Sequence, residues 1–295
     1  MSVIPTTLRQ SGEALSAALP PLLIAAEPLA NSALPGAHGR RRAGMGAEFW
    51  QFRPAGVSDS ATRIDWRRSA RGDDHFIRET EWQAARAATL WVDGGAAMDF
   101  TGDRARPPKG DRARLLAMAL ALLLLRAGER VGLARADIGP RAGRAQAGKL
   151  AMGLAETVAD ASEHSDPDLS ATPTGGHAVL FSDFLGSLEP VERAMQLAGE
   201  RNLRGLLVQV LDPIEESFPF DGRTRFESMS GHLSFETLRA GDLRNAYRDR
   251  LAARKDRLAT LARSGGWQFT TLHTDSPATA GLLWLWHALG GGWRR

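Results

Sequence analysis

A chain of 295 residues with 43% hydrophobic content has enough apolar surface for a sizeable core, which excludes an intrinsically disordered protein. The formal net charge is only +3, and the basic pI is an arginine effect: of 37 basic residues only Lys109, Lys149 and Lys255 are lysine. With no cysteine in the chain, disulfides, zinc thiolates and cysteine nucleophiles are excluded.

In chain order, the first 86 residues read as an irregular accessory region. A short helix is expected near Ser11 to Ala26, and the stretch LPPLLIAAEPLA is broken by Pro20, Pro21 and Pro28. The Gly- and Arg-rich PGAHGRRRAGMGAE follows, then short aromatic segments, FWQFRP, TRIDWRRSAR and HFIRETEW, that look like strands or turns. No signal peptide is recognised in the first residues. From Ala87 the pattern becomes an alternation of apolar runs and amphipathic stretches. AATLWVD, ERVGLARAD, HAVLFSDF, LRGLLVQVLD and WQFTTLHTD read as strands. Between them, the stretches beginning KGDRARLL, AGKLAMGL, SLEPVERA, AGDLRNAY and PATAGLLW read as helices, the first stopped by Gly128. A linker rich in Ser, Asp, Pro, Thr and Gly runs over 162–176. The longest apolar run, LLAMALALLLL, has eleven residues, against the roughly 20 of a membrane helix.

Apolar strands alternating with helices predict an α/β domain over 87–295: a doubly wound, mainly parallel sheet with helices on both faces. In such sheets ligands sit beyond the carboxyl ends of the strands, where Asp93, Asp183, Asp212 and Asp275 fall. Aspartate is also a favoured turn and helix N-cap residue, so each has a structural reading beside the functional one. The seven histidines show no metal-ligand spacing, and no Walker loop, strand-linked GxGxxG, GxSxG elbow or HExxH is present.

The block from Gly46 to Met98, with Gly46, Glu48, Phe49, Arg53, Arg63, Ile64, Asp65, Trp66, Arg67, Ala70, Arg71, Arg78 and Glu79, resembles the bacterial family known as domain of unknown function 58. Later blocks at KGDRARLLAMALALLLLRAGERVGL, HAVLFSDFL and LDPIEESFPFDGRTRF continue the resemblance. It implies a von Willebrand factor A-like domain, in which an Asp-x-Ser-x-Ser strand end builds a metal-ion-dependent adhesion site. Here that motif is Asp93, Gly94, Gly95, Ala96 and Ala97. Mg²⁺ needs a near-octahedral shell of hard oxygens, and Gly95 and Ala97 bring none. Asp183 fits the later strand-end aspartate, while Thr157, Thr172 and Thr174 stay open for the threonine.

The expectation is therefore a degenerate adhesion site, with Asp93 and Asp183 as its remaining metal positions and Asp93 kept as a strand-end cap or an arginine's partner. Mg²⁺ is the ion such a site would take if it kept one, and no other cofactor is expected. The partner-binding face is expected around Asp93, Met98, Asp183 and Phe184, aided by Arg63, Arg67 and Arg71. The mixed-charge block around Arg63 to Glu79 is expected to pair internally, with Trp66 and Trp82 giving buried area. The expectation is a cytoplasmic, non-enzymatic adaptor; the resemblance implies a MoxR-type AAA+ ATPase as its partner, with any place at the membrane peripheral and through that partner. The alternatives are a metal-dependent hydrolase or phosphoryl-transfer enzyme using Asp93 and Asp183, and an Arg-rich nucleic-acid-binding protein.

Overall fold

A computed structural model describes residues 21–33, 49–54, 66–70, 76–80, 86–134, 136–156 and 162–293. In chain order these form α1 (Pro21–Ser32), β1 (Phe49–Pro54), α2 (Trp66–Ser69), β2 (Phe76–Thr80), β3 (Ala87–Val92), α3 (Lys109–Arg126), β4 (Arg130–Leu133), β5 (Ile138–Arg141) and α4 (Arg144–Ala155). The rest is β6 (His177–Ser182), α5 (Glu189–Glu200), β7 (Arg204–Leu211), α6 (Pro213–Ser217), β8 (Thr224–Glu227), β9 (Ser234–Thr237), α7 (Ala240–Ser264), β10 (Gln268–His273) and α8 (Ala278–Trp293). A 3₁₀ turn at Ala96–Asp99 follows β3.

The chain divides into two compact units, one made of residues 1–35 with 86–295 and one of residues 36–85. In the smaller unit β1 and β2 pair antiparallel, from Phe49 opposite Thr80 to Pro54 opposite Phe76. The expected strand or turn at TRIDWRRSAR is instead a single helical turn at Trp66–Ser69, where the Ser69 hydroxyl accepts from the Phe76 amide at 2.9 Å. Trp66 is exposed, contrary to the expected burial. Trp82 lies outside the described residues.

The larger unit is a six-stranded sheet of order β10-β7-β6-β3-β4-β5, parallel except for β5 at one edge. Helices cover both faces. Ala88, Leu90 and Val92 of β3, with Val179 and Phe181 of β6, face α1, α3, α4 and α8. On the other face Trp91 and Leu180 pack with residues of α5 and α7, including Val191, Met195 and Leu258. This is the doubly wound arrangement expected, and it is compatible with the von Willebrand factor A-like reading.

The run LLAMALALLLL lies inside α3, and Leu116 to Leu124 are all buried. A helix apolar on all sides is one packed on all sides, and α3 contacts α1, α4, α8 and the sheet. Among the described residues no helix is long and apolar enough to cross a membrane. Of the helix expected near Ser11 to Ala26, residues 11–20 lie outside the described residues, and residues 21–26 are helical. The helix runs over Pro21–Ser32, and Leu23, Ala26 and Ala30 join the core of the larger unit. Pro28 is tolerated within it because Pro28 and Ile24 face solvent, where water replaces the hydrogen bond that proline cannot make.

Candidate functional site

The carboxyl ends of β3, β6 and β7 bring Asp93, Asp183 and Asp212 to one edge of the sheet, each immediately after its strand. Asp93 is buried, and both its oxygens are engaged. Oδ1 accepts from the Gly95 amide (2.8 Å), the Ser165 amide (3.0 Å) and the Ser165 hydroxyl (2.6 Å), while Oδ2 accepts from the Ser182 hydroxyl (2.7 Å). The carbonyls of Ser162 and Glu163 accept from the amides of Ala96 and Ala97 at 3.0 and 2.9 Å. Residues 162–165 are therefore laid across the β3 loop as a plug.

That plug explains Gly95. A Cβ built there would stand 2.5 Å from the Glu163 carbonyl oxygen and 2.5 Å from the His164 Cα. The hydroxyl position missing from the sequence is thus filled by another segment of backbone. Serine at 95 would have to displace it, so Gly95→Ser is expected to cost about 1–3 kcal/mol by overpacking. Urea unfolding of that variant, with hydrogen exchange at the Ser165 amide, checks both the loss and its place.

Asp183 is fully buried and faces a cation of the protein's own. Lys109, the first residue of α3, is 1% exposed, and its Nζ donates to Asp183 Oδ2 at 2.8 Å and to Glu215 Oε1 at 2.6 Å. The ammonium also lies 5.4 Å from the centre of the Phe100 ring. Glu215 Oε2 accepts from the Asp212 amide, and the Asp212 carboxylate accepts from the Ile214 amide, forming a capping box on α6. Arg106 and Thr274 donate to the remaining capacity of Asp212. Lys109 therefore ties the ends of β6 and β7 to the start of α3.

Burial alone would lower the Lys109 pKa, but the Asp183 and Glu215 carboxylates outweigh it and hold the ammonium above its ordinary value. Burial opposes ionisation of Asp183, yet Lys109, His164 and the Leu185 amide hold its carboxyl well below the usual range. The two carboxylates share the lysine unequally: in Glu215, burial wins over Lys109 and pushes the pKa up. Asp183 is the firmly ionised partner, since it receives three stabilising groups. His164, 3.5 Å from Asp183 Oδ1, has its pKa raised, first by that carboxylate.

One ligand atom each from Asp93, His164 and Asp183 lies within 4.8 Å of the others, close enough for a single ion. The donor chemistry does not fit Mg²⁺, however. The oxygens of Asp93 already accept four hydrogen bonds, Asp183 is paired with Lys109, and the imidazole is a poor partner for hard Mg²⁺.

Of the residues expected on a partner-binding face, Asp93, Met98, Asp183 and Phe184 are all buried. They support the strand ends from within. Phe184 is held at φ 50°, a left-handed conformation unusual for a bulky residue, with its amide donating to the Ser182 hydroxyl. Arg67 is exposed on α2, and Arg63 and Arg71 lie outside the described residues, as does Thr157. Thr172 packs near Ala87 and Gly176, at the opposite end of the strands from Asp93. Asp93 stands at the strand end, where its Oδ1 accepts from the Gly95 amide as a turn-making aspartate does, and among the described residues it binds hydroxyls and amides, not an arginine. Asp212 is the cap, and Asp275 is exposed. Sequence reasoning missed Lys109, His164, Ser165, Ser182 and Glu215.

The plug also reaches outward. The Glu163 carboxylate accepts from the amides of Met229 and Ser230, at the tip of the β8–β9 hairpin, at 3.1 and 2.8 Å. Phe226 anchors that hairpin against Phe218 and Phe220, with ring centres 5.7 and 5.2 Å away. Beyond the anchor, Met229 (45% exposed), Leu233 (73%), Phe235 (56%) and Leu238 (73%) stand in solvent. These are four of the seven large apolar side chains exposed among the described residues, gathered in ten positions of sequence.

The profile described as Protein of unknown function DUF58 matches residues 51–257. No curated protein matches the chain. Among solved structures, the chain is similar to the conserved hypothetical protein BatB from Bacteroides thetaiotaomicron, at 12% identity over 70% of this chain and 100% of that one, TM-score 0.41. An aerotolerance-related membrane protein from Bacteroides fragilis NCTC 9343 gives 12% identity over the same shares, TM-score 0.40. An uncharacterized membrane spanning protein from Vibrio fischeri gives 15% identity over 70% of this chain and 98% of that one, TM-score 0.20.

Proposed function

The chain belongs to the DUF58 family of proteins of unknown function, and from that premise we propose that it is a non-enzymatic adaptor that docks a protein partner, a MoxR-type AAA+ ATPase, through the β8–β9 hairpin. The exposed apolar cluster Met229, Leu233, Phe235 and Leu238 is the observation that carries this reading. Four such side chains offer on the order of 400 Å², a patch of the size that marks interaction sites on soluble proteins. It is about half of the ~800 Å² per partner of a stable complex, which suits a regulated, transient contact.

The surrounding charge favours a protein over a nucleic acid or an anionic membrane. Arg223 pairs with Glu236 and Arg225 with Glu227, so most of the hairpin's basic charge is neutralised in place. A phosphate-binding surface would leave those guanidinium groups open. The hydrolase alternative fares no better, because Asp93 and Asp183 are buried and engaged by the protein itself. The identity of the partner rests on the family resemblance. Any location at a membrane would come through that partner.

The test is co-purification of the tagged chain with the purified MoxR-type ATPase of the same organism, with and without nucleotide. The native chain should retain the ATPase. Leu233→Ser with Phe235→Ser should weaken retention at least ten-fold, as loss of exposed apolar anchors does, while the unfolding free energy stays within the ~0.5 kcal/mol typical of surface changes. No retention in any nucleotide state would remove the reading. Retention that the double variant does not weaken would move the contact off the hairpin.

A further inference from the structure

We infer that Lys109 performs the structural work of a strand-end divalent cation in this protein, so that the site is locked by an internal ammonium and is independent of metal. The inference stands on the geometry of the larger unit alone, whatever the partner proves to be.

A metal ion at such an edge does two things: it neutralises carboxylates converging from separate loops, and it fixes those loops to one another. The Lys109 ammonium does both. Its Nζ lies within 2.8 Å of the β6-end carboxylate Asp183 and within 2.6 Å of Glu215 on α6. Through Glu215 Oε2 it reaches the backbone of Asp212 at the end of β7. At 1% exposure it is among the largest fully buried side chains of the described residues. A lysine so deep in a protein persists only when its charge is paired.

Its position in the chain is a second argument. Lys109 opens α3, with Pro108 before it and its own amide donating to the Phe100 carbonyl. A cation at a helix N-terminus opposes the helix dipole. The lysine is held there by Asp183 and Glu215, and the favourable dipole interaction at that terminus goes instead to those acids.

The third is the plug. Where a hydroxyl-bearing strand end would direct two oxygens toward an ion, this chain has Gly95 and Ala97, and residues 162–165 occupy the space. Ser165 and Ser182 supply hydroxyls, but both donate into Asp93, consuming the lone pairs an ion would need. Two separate features, a small-residue loop and a buried lysine, thus serve one outcome. The strand-end geometry is kept and the ion is replaced.

The test uses the full chain and millimolar Mn²⁺, with thermal unfolding and calorimetric titration as readouts. The native protein should show no saturable Mn²⁺ binding and no change in midpoint. Lys109→Ala leaves Asp183 and Glu215 facing an emptied space; it should unfold at lower temperature and be raised by Mn²⁺ by at least about 3 °C, the scale of a one-kilocalorie ligand in a domain of this size. Adding Asp183→Asn to Lys109→Ala should abolish that rescue, which a merely structural lysine would not predict. Lys109→Gln, which keeps more of the side-chain volume, is measured in parallel in case the alanine variant does not fold. Saturable Mn²⁺ binding by the native protein overturns the inference, as does a folded Lys109 variant whose midpoint ignores Mn²⁺.

Discussion

Lys109→Met lowers the unfolding free energy by about 3–5 kcal/mol, the cost of removing one partner from a buried ion pair and leaving the other charge uncompensated. The methionine fills most of the lysine's volume, so little of the loss comes from a cavity. It comes from Asp183, which has no exposed surface and loses its closest cation. Adding Asp183→Asn should recover part of the loss, because the stranded charge goes with it. Urea denaturation measures both, read as a shift in midpoint at constant slope. A Lys109→Met protein as stable as the native one would show that the ammonium contributes nothing net.

The acid response supplies a second readout of the same substitution. The native pKa of Asp183 is depressed, so its contribution is fully present above the ordinary unfolded value near 4 and is lost only as the pH falls toward the depressed one. Without Lys109 the native value rises toward or past the unfolded one. Acid unfolding of Lys109→Met should therefore begin at higher pH than in the native chain.

How much of this was legible beforehand differs between fold and site. The alternation from Ala87 onward gave the five parallel strands and the helices that cover them, because buried parallel strands are written as continuous apolar runs. β5 escaped notice since Ile138–Arg141 carries Gly139 and Pro140, residues that suit only an edge. The β8–β9 hairpin escaped because none of its strand residues is buried, leaving no apolar run to read. The strand-end aspartates were legible as a group; what surrounds them was not.

Two of the missed residues had signals. Asp212-Pro213-Ile214-Glu215 has the spacing of a capping box with proline in the first turn. Lys109, one of three lysines in the chain and placed at the start of a helix against its dipole, was anomalous enough to demand acidic neighbours. His164 and Ser165 had none, because they lie in a linker whose path is set by tertiary contacts. The absence of serines at 95 and 97 was visible. That backbone from 70 residues later had taken the space was not, since nothing local encodes it.

Asp93→Ala should cost about 2–4 kcal/mol, because four donors lose their acceptor in a buried site and each buried unsatisfied donor costs about 1–3 kcal/mol, with partial relaxation. Asp93→Asn should cost less than half as much. Its amide oxygen can still accept from Gly95 and Ser165, and its NH₂ can donate to Ser182 if that hydroxyl rotates. A site organised by a metal would separate these variants far less, since asparagine is a weaker ligand than a carboxylate for a hard cation. The alanine variant should also loosen at a distance. Once Ser165 is released, residues 162–165 lose a main attachment to the β3 loop, and Glu163 no longer holds the Met229 and Ser230 amides in place. Hydrogen exchange at Gly95, Ser165, Met229 and Ser230 should therefore quicken together in Asp93→Ala and stay close to native in Asp93→Asn. Protection at Ser165 that survives the alanine substitution would mean that Asp93 does not hold the plug; quickening at Ser165 without any at Met229 and Ser230 would cut the proposed link between the buried site and the docking hairpin.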